Sequence, residues 1–298
     1  MSRVVVVGAG GMLGHKVCQL LKGHKVVGLV RGAVVQYQVF PLVFDNVSLR
    51  GEVDVLSGDR LRTVLQEEQP QFVINCVGVV KQLEEANDPC LTVAINSLLP
   101  HQLARWCGEI GARLVHISTD CVFDGSRGSY LESDVSDARD FYGRSKALGE
   151  TLPAETAALT LRTSFIGREL KSRTHGLVEW FLAQSGKGVD GYANVIYSGV
   201  TSIELAKVIL RLVDDRMNLS GVFQVASEPI SKYDLLTLIR QAYGLEIEVR
   251  RSQTPVSDRS LVMGAFSDAT GYKAPSWAQM ISAMHDDPTP YEKWKGGG

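Results

Sequence analysis

Short runs of apolar, mostly β-branched residues recur along the chain, each followed by a stretch whose apolar positions fall three or four apart. The runs at 4–7, 25–30, 71–76, 113–117, 159–163 and 222–225 are nearly all apolar instead of alternating, which predicts strands covered on both faces of a parallel sheet. Helical spacing fills 12–22, 60–67, 89–110 and 142–150. Strand and helix in regular turn predict an α/β fold of the doubly wound, parallel kind.

After about residue 165 the rhythm changes. Longer loops are expected at 186–197 and 246–258, with helices at 175–184 and 231–242, so a smaller C-terminal lobe is predicted over 166–298. The apolar spacing at 202–213 predicts a helix that packs back on the first lobe, and 198–226 is assigned there with it.

At 298 residues and 45% hydrophobic, the chain can bury one large core or two moderate ones. A net charge of −2 and a pI near 6.3 leave no basic footprint for nucleic acid. The five cysteines, Cys18, Cys76, Cys90, Cys107 and Cys121, are scattered and never form a Cys-x-x-Cys pair, which suits reduced thiols. The first residues lack a signal-peptide apolar region, and no later run approaches the roughly 20 apolar residues that span a bilayer. The expectation is a cytoplasmic protein with no membrane partner.

Directly after the first run comes GAGGMLG, with Gly8, Gly11 and Gly14 three apart and Met12 and Leu13 between them. A glycine pattern alone is weak, but here a strand precedes it and a helix follows. In that context bare backbone lets a pyrophosphate approach a helix N-terminus, the Rossmann arrangement for a dinucleotide. An acidic residue about 20 positions on would select NAD. This chain has Arg31 instead, whose guanidinium would favour the 2′-phosphate of NADP, with His15 and Lys16 as helpers; NADH is the less favoured alternative.

The segment from HISTDCVFDG to DFYGRSKALGE carries the chemistry. Ser118 and Thr119 end a strand on the side where open α/β sheets bind ligands, and Tyr142 and Lys146 follow four residues apart, on one face of a helix. A lysine so placed is expected to lower the tyrosine pKa from about 10 and ready the phenol for proton donation. Tyr291 and Lys295 repeat the spacing, but in a proline-flanked tail without a hydroxyl-bearing strand, so the repeat reads as coincidence. GRSKA at 143–147 lacks the last glycine of a Gly-x-Ser-x-Gly elbow and has no strand leading into it, which counts against a serine hydrolase.

With these segments the chain resembles the dTDP-4-dehydrorhamnose reductases of the extended short-chain dehydrogenase/reductases. VVVVGAGGMLG, VINCVG, ISTDCVFDG, FYGRSKALGE and LRTSFIG carry the likeness, which continues more weakly through 202–213 and EPISKYDLL. The resemblance implies an NAD(P)-binding Rossmann domain over 1–165, a substrate-binding lobe over 166–298, and reduction of a nucleotide-linked 4-keto-6-deoxy sugar for surface polysaccharide. It implies that Tyr142 gives a proton to the substrate carbonyl, Thr119 hydrogen-bonds the same oxygen, with Ser118 as fallback, and Lys146 binds the nicotinamide ribose. Cys76, Val77 and Gly78 would line ribose and pyrophosphate, Asp54 and Val55 would meet adenine, and Arg162, Thr163 and Ser164 would face the nicotinamide.

Asp120, Cys121, Phe165, Arg168 and His175 are the implied substrate side, with Lys171 and Arg173 as further cations for a diphosphate. Cys121 and Phe165 replace the aromatic and the Trp usual in the rhamnose enzymes. Another nucleotide-linked 4-keto-6-deoxy sugar than dTDP-4-dehydrorhamnose is therefore expected, with a UDP-linked, N-acetylated one among the candidates and the nucleotide, dTDP or UDP, left open. The same resemblance leaves open an epimerase or dehydratase that retains its cofactor, a non-catalytic NADP-binding subunit like the relative that regulates methionine adenosyltransferase, and a homodimer. His285, Asp286 and Asp287 are read as a solvated helix end and not a metal site. Trp106, Trp180, Trp277 and Trp294 are read as packing residues.

Overall fold

A computed structural model describes residues 1–81, 87–150, 157–171 and 174–295. Its centre is a parallel sheet built from β1 (Arg3–Val7), β2 (Lys25–Leu29), β3 (Val47–Arg50), β4 (Phe72–Asn75), β5 (Arg113–Ile117), β6 (Ala158–Arg162) and the strand Gly221–Gln224. The seven strands lie in the order Gly221–Gln224, β6, β5, β4, β1, β2, β3. The order reverses between β1 and β4, which opens a crevice at the carboxyl ends of these two strands.

The valine run of β1 explains its central place. Val4 and Val6 face the side covered by α1 (Met12–Leu20) and the helix Ser202–Asp214, while Val5 and Val7 face the helices Gly58–Glu68 and Leu99–Ile110. A strand covered twice must be apolar throughout, and each such side chain contributes roughly 1.5–3 kcal/mol by leaving water. β3 escaped the sequence reading because it is a four-residue edge strand, VSLR, whose side chains alternate between half-buried and exposed.

The second lobe departs from expectation where loops were predicted. Gly188–Tyr192 pairs in parallel with Glu248–Ser252, and Val195–Tyr197 pairs with Ile230–Ser231 and Ser257–Asp258. Glycines and charges hid these strands, since their pairing partners lie tens of residues away. The helix over 89–110 is present but carries a π-turn at Ala94–Leu98. The tail also holds a helix, Tyr291–Lys295.

The core runs unbroken past residue 165. One cluster joins Val4 and Leu13 of the first lobe to Leu205, Ile239, Trp277 and Met284. The helix Ser202–Asp214 packs on α1. Among the described residues no helix is long and apolar enough to cross a membrane, and no three His, Cys, Asp or Glu residues could together hold a metal.

Candidate active site

The glycine loop is shaped for close approach. Gly8 has φ +83°, which favours glycine, and a side chain on it would press on Val77 Cγ2 at 2.7 Å. A Cβ on Gly14 would overlap the Gly8 carbonyl oxygen and lie 2.9 Å from Ala9 Cα, so glycine lets α1 pack against the loop. Gly11 caps α1, no side chain caps that end, and no acidic residue lies in its first turn. The free N–H groups and the helix dipole therefore suit a phosphate. Across the crevice, Cys76, Val77 and Gly78 follow β4, with the Val77 N–H donating to Asn75 Oδ1 at 3.1 Å. Asp54 and Val55 follow β3, where the Val53 N–H donates to the Val30 carbonyl. These residues fit a dinucleotide with its pyrophosphate at Gly11–Met12.

Arg31 is exposed just beyond β2. Its charge is felt by the Lys171 ammonium. His15 and Lys16, expected as its helpers, turn the other way. Both are buried: His15 Nδ1 meets the Gly11 carbonyl at 2.9 Å and Nε2 the Tyr291 hydroxyl at 2.8 Å, while Lys16 is ion-paired with Asp287. Burial drives the His15 pKa down to about 3, so it is neutral and cannot attract a phosphate. The Tyr291–Lys295 pair is thus no catalytic motif but a clasp on α1. Asp287 belongs to that clasp, and only His285 and Asp286 are the solvated helix end.

The helix Phe141–Glu150 brings the predicted trio together. A Cβ on Gly143 would overlap the Cys121 carbonyl oxygen, so glycine lets the helix lie against the end of β5. Thr119 Oγ1 accepts the Cys121 N–H at 3.1 Å and can donate to Asp120 Oδ1, also 3.1 Å away. It also lies against the half-buried Tyr142 phenol. Lys146 is buried; its Nζ donates to the Ile117 carbonyl at 2.8 Å and lies 3.9 Å from where a Cβ on Gly78 would stand. The trio therefore borders the same crevice as the glycine loop.

The electrostatics reverse one expectation. Burial holds the Tyr142 phenol above its ordinary pKa, with the Thr119 hydrogen bond pulling the other way. Lys146 is not among the groups that set this value in the ligand-free protein; its Nζ donates to the Ile117 carbonyl, and its own burial lowers it to about 8. The phenol is a protonated donor at neutral pH, as a general acid requires.

Beneath the trio lies a network that sequence reasoning missed. Ser118 donates to Glu150, and Arg162 Nε donates to the same carboxylate at 2.9 Å. Ser118 is thereby committed to Glu150 instead of standing by for Thr119, and Arg162 points into the core instead of toward nicotinamide. Asn96, fully buried in the π-turn, accepts the Val79 N–H at 2.9 Å and donates to the Val79 carbonyl and to Ser145 Oγ at 3.0 and 3.1 Å. A polar residue inside an apolar helix was the available signal, since π-turns gather at functional sites.

On the substrate side, Asp120 is buried and Cys121 half-buried, its thiol pushed up to about 12 by burial and so unreactive. Phe165 and Ser164 are half-buried beside the strand Val200–Thr201. Arg168 corrects its expected role. It is buried, donates to Glu179 at 2.8 Å, pairs with Glu292 and lies 4.8 Å from the Tyr291 ring centroid, so its charge is already satisfied in the tail clasp. His175 is half-buried, its backbone N–H donating to Glu169 Oε1 at 3.2 Å. Arg173 lies outside the described residues. Of the tryptophans, Trp106 and Trp277 are buried, Trp294 packs on Phe40, and Trp180 is exposed.

The family model of the RmlD substrate binding domain matches residues 2–286. The chain is 35% identical over 149 residues to the dTDP-4-dehydrorhamnose reductase of Streptomyces griseus, covering 50% of this chain but only 43% of that one. It is 30% identical over 260 residues to the spore coat polysaccharide biosynthesis protein SpsK of Bacillus subtilis, covering 84% and 82% of the two. The crystal structure of a hypothetical dTDP-4-dehydrorhamnose reductase from Sulfolobus tokodaii superposes with a TM-score of 0.76 at 26% identity, covering 92% of this chain and 98% of that one.

Proposed function

The chain belongs to the RmlD substrate binding domain family, and on that footing we propose that it is an NADPH-dependent reductase of a nucleotide-linked 4-keto-6-deoxy sugar. In its general class it is an NAD(P)-dependent oxidoreductase acting on a CH–OH group. The carrying observation is that the Tyr142 phenol, the Thr119 hydroxyl and the Lys146 ammonium border the crevice that begins at the glycine loop.

When bound, nicotinamide would supply the hydride for the carbonyl carbon. Tyr142, protonated at neutral pH, would give its proton to the carbonyl oxygen. Thr119, already accepting the Cys121 N–H, would turn its own proton from Asp120 toward that oxygen. Lys146 would hold the nicotinamide ribose. The Arg31 and Lys171 cations support NADPH over NADH. The substitutions at Cys121 and Phe165 support a sugar other than the rhamnose precursor.

The test is a panel of dTDP- and UDP-linked 4-keto sugars with NADPH and with NADH, following nicotinamide absorbance. One keto-sugar should consume NADPH in equal amount, and Tyr142→Phe should cut kcat by about 10²–10⁴-fold while NADPH still binds. Sugar turnover without an absorbance change would point to an epimerase or dehydratase instead. Full biological activity of Tyr142→Phe would point to a non-catalytic subunit.

A further inference from the structure

A second group of polar side chains lies in the C-terminal lobe, within electrostatic reach of Asp120. The antiparallel pairing of Ile230–Ser231 with Val195–Tyr197 sets Ile230 opposite Tyr197. The chain then turns into the helix Lys232–Ala242, whose cap Ser231 accepts the Asp234 N–H at 3.0 Å. Lys232, the first residue of that helix, holds its Nζ 4.6 Å from the centroid of the Tyr197 ring. Trp277 fixes that ring from a centroid distance of 5.3 Å.

Two features of this group are unfinished. Tyr197 is 4% exposed, and its hydroxyl has no hydrogen-bond partner among the described residues. Lys232 is half-buried and closes no ion pair among them. Its charge and the Tyr197 hydroxyl both feel the Asp120 carboxylate, as does Tyr142. The carboxylate is thus a neighbour of both the catalytic phenol and this pair. A buried hydroxyl without a partner and an unpaired, partly desolvated cation both weaken the free protein, and a ligand that completes them recovers the loss.

We propose that Lys232 and Tyr197 form an anion subsite that holds the diphosphate of the nucleotide-linked substrate; the inference rests on the reductase reading above. The crevice is polarised to match. At the catalytic end Asp120 accepts hydrogen bonds, which suits sugar hydroxyls. The C-terminal lobe supplies an ammonium and a phenol hydroxyl, both hydrogen-bond donors, which suit an anion. Arg168, assigned that duty from the sequence, is occupied by Glu179 and Glu292. A carboxylate on the sugar would meet the same donors, and the ligands tested separate the two sources.

The experiment is calorimetric titration of UDP and of dTDP into the full chain at saturating NADP. Lys232→Met, which keeps the apolar stem, should weaken a nucleoside diphosphate at least tenfold, the usual worth of a charged hydrogen bond. Lys232→Arg should restore most of the affinity. Tyr197→Phe should weaken binding several-fold while the melting temperature of the ligand-free protein holds or rises, because an unpartnered hydroxyl is removed; a purely structural residue would not move the two in opposite directions. Equal affinity in wild type and Lys232→Met would overturn the subsite. So would a fall in melting temperature for Tyr197→Phe, or failure of wild type to bind either diphosphate. Diphosphate binding needs no turnover, so failure of the reductase reading would show separately, as no NADPH oxidation with any keto-sugar.

Discussion

Replacing Glu150 with Gln removes the carboxylate on which the buried Arg162 guanidinium rests. The two side chains are 4% and 8% exposed and meet at 2.9 Å, with Ser118 donating to the same carboxylate. Coulomb's law at an effective dielectric of about 20 gives about 4 kcal/mol for unit charges about 4 Å apart. That agrees with the roughly 3–5 kcal/mol lost when one partner of a buried pair is removed. The remaining contacts of Arg162 compensate poorly: Glu132 O and Ser136 Oγ stand at 3.4 Å, and the Phe123 ring centroid at 5.1 Å. At about 2–4 °C per kcal/mol, Glu150→Gln should lower the melting temperature by about 10 °C. Thermal denaturation followed by circular dichroism measures this. The drop should be nearly the same at low and moderate salt, because a buried pair is weakly screened. Glu150→Leu combined with Arg162→Leu should recover most of the loss, less about 1 kcal/mol for the stranded Ser118 hydroxyl. A shift under 2 °C in the single variant, or a double variant as unstable as the two singles summed, would refute the reasoning.

Lys146→Met should raise the stability of the ligand-free protein at pH 7 while abolishing turnover. Burial lowers the lysine from 10.5 to about 8, so the unfolded chain binds more protons between those values. The penalty, up to about 3 kcal/mol, is complete below pH 8 and gone above about pH 10.5; melting curves across pH 7–10 should show the variant's advantage shrinking. Arg31→Ala should raise the KM for NADPH about tenfold and leave that for NADH within about twofold, read from steady-state kinetics with each cofactor. Gly14→Ala forces a methyl into the Gly8 carbonyl and Ala9 Cα, so titration should find no pyridine-nucleotide binding even where the variant folds.

Much of this protein was legible as a string of residues because local rules carried it. The valine runs demanded strands covered twice, the glycines in GAGGMLG demanded a close approach, and Tyr142 and Lys146 four apart demanded one helix face; all depend on neighbours in sequence. Tertiary structure decided whatever depends on distant partners. It gave Ser118 and Arg162 to Glu150, and His15 and Lys16 to a tail more than 270 positions away. It turned Arg168 from a diphosphate ligand into a clasp, and it raised the Tyr142 pKa where sequence spacing promised a fall. It also set Lys232 over Tyr197, residues that no spacing rule connects. The physical reason is common to all of these: a side chain's charge and proton depend on burial and on partners, and only the fold determines which partners arrive.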